Sequence, residues 1–164
     1  MGKTYETIDK KLTDWFQNQK VFFVATAPLA KNGLVNCSPK GLDTLRVIGP
    51  PELVYLDYAG SGVETIAHLK ENSRVTLMMC AFEGRPIIYR FQGSGTVYEK
   101  GTRKYEEPEY ISFFSDHPGA RSIIHADVHR ISDSCGWGCL SANTKEIGTH
   151  FPNGPRRKGK RGGA

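Results

Sequence analysis

Cysteine, methionine and tryptophan are scarce in this chain: four, three and two among 164 residues. Four cysteines do not make a disulfide scaffold. Only Cys135 and Cys139 lie close, as Cys-Gly-Trp-Gly-Cys, and three intervening residues are not the two-residue spacing of a redox pair. No second Cys or His pair stands at zinc-ligand spacing, so reduced thiols and no metal site are expected. Long apolar runs are missing as well. None approaches the roughly 18 to 20 residues that span a bilayer, and the opening MGKTYETIDKKL lacks the apolar core of a secretory signal. These absences predict a soluble, cytoplasmic protein with no membrane partner. No internal repeat is present, and no linker interrupts residues 1–151, which are read as one domain.

Acidic residues are absent from one region. Residues 152–164 carry Arg156, Arg157, Lys158, Lys160 and Arg161 without an acid. The other 17 basic residues equal the 17 acidic ones, so the formal charge of +5 resides in this tail. A basic tail can bind phosphate-rich polymers or serve as an import signal, and it can equally be a solvated, disordered end. The neutral body predicts no nucleic-acid binding outside the tail.

What remains is ordinary globular material, with 38% hydrophobic and 10% aromatic residues. That fraction argues against wholesale disorder. The 18 glycines and nine prolines follow no period, which rules out collagen-like and coiled-coil chains. Ile8, Leu12, Trp15 and Phe16 recur at helical spacing and predict one amphipathic helix. Beyond it, strands are predicted over Val21–Thr26, Leu34–Ser38, Leu45–Ile48, Leu53–Tyr58, Val75–Phe82, Ile87–Glu99 and Ser122–Ile131. The Lys31-Asn32-Gly33 run predicts a tight turn between the first two strands. Helices are expected over 62–72 and, more briefly, over 109–115. Most joins are too short for a crossover helix, so the strands pair antiparallel, and a barrel removes their edges.

The stretch Tyr55-Leu56-Asp57-Tyr58-Ala59-Gly60-Ser61-Gly62-Val63-Glu64-Thr65 runs from a strand through a small-residue turn into a helix. Backbone N–H groups at such a turn converge on a phosphate, and Ser61 and Thr65 add hydroxyls. A second reading is equally open: Ser61 and Glu64 have the spacing of a capping box, which needs no ligand. The histidines are weaker signals. His125 and His129 alternate along one strand and so share a face, and no metal is assigned to them. Ser134 lacks the strand–turn–helix context of a hydrolase nucleophile.

Four segments, Val35–Leu42, Ser61–Leu69, Cys80–Gly84 and Asp133–Gly136, resemble the pyridoxamine 5'-phosphate oxidase-related family in order and spacing. The resemblance covers about residues 3–138. It implies a mainly β fold with a few helices, an antiparallel six-stranded FMN-binding split barrel. It also implies a homodimer with FMN held between subunits, and a small-molecule substrate or electron donor. Asn36, Cys37 and Ser38 are then candidate contacts for the isoalloxazine ring. Lys40 is a candidate cation for the FMN phosphate or a substrate anion; the alternative is a solvated strand-end lysine. Ser61, Gly62, Val63, Glu64 and Thr65 occupy the family's phosphate turn. Arg90 corresponds to a barrel-strand arginine near the cofactor, or else serves as a rim ion-pair residue.

The departures are specific. Where the true oxidase has Ser-Arg-Lys at the phosphate helix, this chain has Val63, Glu64 and Thr65. An Arg-Gln pair is replaced by Ile87 and Ile88, and the C-terminal Arg-x-His element has no counterpart. These losses predict a flavoprotein that acts on another small substrate, with no catalytic residue assigned. The alternative is a non-catalytic flavin-binding or sensor module.

Overall fold

Asp9 starts the first helix by accepting the Leu12 N–H at 2.7 Å. The helix, α1 (Lys10–Gln17), turns Leu12 and Phe16 inward, at 5% and 3% exposure, as the apolar spacing requires. The computed structural model describes residues 2–114 and 117–139. The expected basic tail 152–164 lies outside the described residues, as does Ser115 at the end of the helix predicted over 109–115.

The strands are β1 (Thr4–Tyr5), β2 (Phe22–Thr26), β3 (Asn36–Lys40), β4 (Leu45–Gly49), β5 (Glu52–Tyr58), β6 (Arg74–Cys80), β7 (Ile87–Glu99) and β8 (Ala120–Cys135). Two further helices are α2 (Glu64–Asn72) and α3 (Pro108–Ile111). Every ladder is antiparallel, in the order β3-β2-β6-β7-β8-β5-β4, with β1 pairing β8. The expected mainly β, antiparallel split-barrel class is the one observed. The sheet has eight strands rather than six, because short β1 adds to the seven that alternation predicts. The Asn32-Gly33 turn does not close a two-residue hairpin. The β2–β3 ladder ends at Thr26↔Asn36, leaving residues 27–35 as a loop in which the Gly33 N–H meets the Ala30 carbonyl at 2.9 Å.

Directly opposed residues of an antiparallel sheet share a face. Val24, Leu77, Phe91 and Ile131 therefore form one row across β2, β6, β7 and β8, each no more than 2% exposed. This row is the floor of the barrel core, with Phe16 of α1 packed edge-on to Phe91 at 5.4 Å. A second cluster lies on the other side of β5 and β8, where Val54, Leu56 and Ile123 meet Tyr105 and Tyr110. Residues 53–57 are consequently all buried.

Between Gln92↔Arg130 and Gly93↔Val128 the β7–β8 register slips, leaving His129 as the extra residue of a bulge. The slip keeps both Ile131 and Val128 in the core although they are three apart.

The amino-terminal strand is tied down by one carboxylate. Asp133 accepts the Lys3 N–H at 2.6 Å and the Tyr5 hydroxyl at 2.5 Å. Partial burial raises the carboxyl's pKa, but the hydrogen bonds from Tyr5 and Lys3 outweigh it and hold the group below its ordinary value. A depressed folded pKa stabilises fully above the unfolded value and is lost as pH falls through the folded one. Asp133→Asn is therefore expected to be less stable than the parent at pH 7, with the gap closing below about pH 4. Urea midpoints across pH 2–7 would check this; a gap independent of pH would refute it.

Candidate functional site

Strand β3 alternates half-buried and exposed residues, with Asn36, Ser38 and Lys40 on one face and Cys37 and Pro39 on the other. The first three share the core-facing side with Thr26, Val24 and Phe22, their opposite residues on β2. At this end of the barrel the core gives way to polar groups. The Asn36 amide donates to Thr65 Oγ1 at 2.9 Å, and Ser38 Oγ donates to Asn36 Oδ1 at 3.1 Å. Thr26 Oγ1 lies 3.0 Å from His68 Nδ1 on α2. Hydroxyls and an amide thus link β3 and β2 to the start of α2.

Lys40 reaches across the seam of the barrel. Its Nζ donates to Asp57 Oδ1 at 2.8 Å, joining β3 to β5, which are not neighbours in the sheet. Asp57 is 1% exposed and also takes Arg121, through Nε at 3.0 Å and Nη2 at 2.6 Å. The same guanidinium donates to the carbonyls of Gly60 at 3.5 Å and Gly62 at 3.1 Å. Four of its contacts are thus internal, out of the five N–H donors a guanidinium offers. Arg121 ties the turn to the sheet through Asp57. Lys40 is neither solvated nor free; it is paired, with two ammonium protons left to donate.

The turn itself is open to solvent, and Ser61, Gly62, Val63 and Glu64 are all exposed while Thr65 is buried. The capping-box reading fails. Helix α2 begins at Glu64 with Val63 as its cap residue and no side-chain cap bond, so Ser61 lies too far upstream to cap it. Among the described residues, no acceptor is bonded to the backbone N–H groups of residues 60–64. With two carbonyls drawn inward by Arg121, this end of the helix presents unpaired donors. Glu64 is the acidic group beside them.

Arg90 belongs to a different place. It is directly opposite Met78, which opposes Phe23, which opposes Pro39, so it shares the outer face with Cys37. Its Nη1 donates to Ser134 Oγ at 2.9 Å, a charged donor on a neutral hydroxyl rather than the ion pair offered as an alternative, and no carboxylate pairs with it among the described residues. The structure thus gathers Asn36, Ser38, Lys40, Thr65 and the turn at one end, and sets Cys37 and Arg90 on the outer surface. Asp57 and Arg121 carry no local motif in the sequence; their roles come from β5 lying beside β8, with Asp57 opposite Ser122.

The family model described as pyridoxamine 5'-phosphate oxidase matches residues 8–135. The chain belongs to the pyridoxamine 5'-phosphate oxidase family. Among curated proteins of that family, it is 36% identical over 165 residues to the pyridoxamine 5'-phosphate oxidase family protein ustO of Aspergillus flavus. That match takes in 93% of this chain and 64% of ustO, so the chain spans less than two thirds of the relative's length. Among solved structures, a variant of HupZ from Group A Streptococcus superposes with a TM-score of 0.60 at 20% identity, over 77% of this chain and 99% of that one. A protein of Lactobacillus delbrueckii, described as a putative pyridoxamine 5'-phosphate oxidase, gives 0.57 at 16% identity, covering 77% and 94%. At such identities the likeness is one of fold. Within this pyridoxamine 5'-phosphate oxidase family member no helix among the described residues is long and apolar enough to cross a membrane.

Proposed function

We propose that this family member binds FMN, with the phosphate received by the Ser61–Thr65 turn, and that it works as a flavin-dependent oxidoreductase on a small substrate. The observation that carries the reading is the turn: unpaired N–H groups at a helix start, two flanking carbonyls drawn away by Arg121, and the Thr65 hydroxyl and Lys40 ammonium alongside. Such a donor set fits a phosphate, since backbone N–H groups and the helix dipole both favour an anion. Asn36 and Ser38, on the adjoining strand face, supply an amide and a hydroxyl to orient a polar ring edge. A bound flavin would supply hydride and electron transfer, while the chain binds and orients it. The absorbance spectrum of the purified protein and the mass of its released cofactor test this. FMN supports the reading; a haem band, or no flavin uptake after reconstitution, overturns it.

Ser61→Ala combined with Thr65→Ala is expected to weaken FMN about tenfold while moving riboflavin little, because riboflavin has no phosphate to receive those hydroxyls. Titration calorimetry with both flavins checks the difference; equal losses would make the turn purely structural.

The reading includes a homodimer. Leu34 at 86%, Val35 at 73%, Leu42 at 81% and Val63 at 52% exposure flank β3 and the turn. Apolar side chains left this open beside a candidate site suit coverage by a second copy. Sedimentation of the flavin-loaded protein should give a dimer, and a monomer with stoichiometric flavin would refute that arrangement.

A further inference from the structure

The thiol spacing that stands out in the sequence, Cys135 with Cys139, is not the pairing that the fold makes. Cys135 is exposed at the end of β8, opposite Ile87. The chain then turns, with the Gly136 N–H on the Pro86 carbonyl at 3.1 Å and the Cys139 N–H on the Gly136 carbonyl at 2.8 Å. This turn lies against the start of β7. Cys80, the last residue of β6, opposes Ile88 of β7, and Ile88 opposes Ser134 of β8. The three therefore share one face, and there the Cys139 thiol lies beside the Cys80 thiol, close enough to act on its ionisation. Cys80 is 7% exposed, whereas Cys139 is half-buried.

We propose that Cys80 and Cys139 form a reversible intramolecular disulfide, a modification site that staples the turn after β8 to the end of β6. The oxidant is a small-molecule disulfide of the glutathione kind. The more accessible Cys139 thiolate attacks one sulfur of that disulfide, giving a mixed disulfide and one released thiolate. Cys80, as its thiolate, then attacks the Cys139 sulfur, forming the Cys80–Cys139 bond and expelling the second small thiolate. The two protons lost by the cysteines end on the two released thiols, so two protein thiols are oxidised and one disulfide is reduced to two thiols.

The geometry assigns the two sulfurs different roles. Cys139 meets the reagent and Cys80 resolves, because Cys80 is shielded by the sheet. Burial, with Cys139 alongside, raises the Cys80 thiol to about 11, while the Arg90 guanidinium on β7 opposes that shift. Closure is therefore expected to accelerate with pH across 7–10, by close to tenfold per unit, as the Cys80 thiolate fraction grows.

The experiment uses the full chain, fully reduced and then exposed to oxidised glutathione, with intact mass and non-reducing peptide mapping as readouts. The expected product is lighter than the reduced chain by about 2 Da, the two hydrogens lost in forming one disulfide. A single cross-linked peptide pair should contain Cys80 and Cys139, with Cys37 and Cys135 still alkylatable. Cys139→Ser, at a partly exposed position, should abolish the bond, and Cys135→Ser should leave it unchanged. Cys80→Ser should stop the reaction at a stable glutathione adduct on Cys139. A bond mapped to Cys135–Cys139, glutathione adducts in the parent that never resolve, or cross-links between chains would each overturn the proposal. The readouts are independent of flavin, so this proposal and the flavin reading stand or fall separately.

Discussion

Replacing Arg121 by lysine is expected to weaken FMN binding about tenfold, equivalent to about 1.4 kcal/mol, although the positive charge is kept. A lysine offers one point of donation, whereas the guanidinium of Arg121 holds Asp57 through Nε and Nη2 while gripping the Gly60 and Gly62 carbonyls. Without that grip the two carbonyls can turn outward, where they would oppose a phosphate. If Arg121 served as a direct counter-charge, lysine would rescue most of the affinity lost in Arg121→Gln. As a positioning residue it is expected to leave both variants equally impaired, with the salt dependence of binding unchanged from the parent. Both should also show faster amide exchange over residues 59–63 in the flavin-free protein, a readout that needs no ligand. Arg121→Gln should also lose about 1–3 kcal/mol of stability, since a buried carboxylate oxygen of Asp57 forfeits its charged partner there. Full rescue by lysine, together with unchanged exchange, would reassign Arg121 to the ligand.

Gly93→Val is expected to cost more stability than any substitution at the candidate site, about 3 kcal/mol or more. A Cβ on residue 93 would sit 1.9 Å from the Asp127 carbonyl oxygen and 2.9 Å from the Val128 Cα, both backbone atoms that cannot swing aside. The clash falls where the β7–β8 register slips, so relieving it means undoing the bulge at His129. Undoing the bulge would shift the parity of β8. Val128, Ala126 and Ile124 would leave the core, and His129, Asp127 and His125 would turn toward it. Chemical denaturation of Gly93→Val should show a large drop in midpoint or no cooperative transition. A near-parental midpoint would mean that the strands can separate locally without losing the register.

These two positions also show where sequence reading stops. Local periodicity carried the strands: Leu53–Leu56 is an unbroken apolar run, as befits a strand buried on both faces, and β2 alternates cleanly between buried and half-buried. Both Asn36 and Ser38 emerged as site candidates through resemblance, and alternation then explains why Cys37 points away from them. The bulge was invisible, because nothing local in Gln92-Gly93 marks a slip that depends on a strand over thirty residues later. Arg121 was invisible for a similar reason: Asp57, its partner, is 64 positions away and meets it through the β5–β8 register. The Ser61–Glu64 spacing misled in the opposite direction. It has the letters of a cap, but the turn is one that Arg121 holds open, and the helix starts at Glu64 itself.

Strand β5 has two apolar faces, one turned to the barrel and one to the aromatic cluster of Tyr105 and Tyr110. Among its described residues, the segment that carries those tyrosines adds no strand to the sheet, and its single helix, α3, has four residues. It can therefore lift away as a unit while every ladder stays closed. The molecule has two melting partners in one chain. Heat should release the outer aromatic layer first, reported by tyrosine signals, before Trp15 beside Tyr89 registers the collapse of the barrel. The outer layer is thus positioned as a sacrificial skin, whose loss bares Leu56 and Ile123 and makes the back of the sheet sticky while the front remains intact.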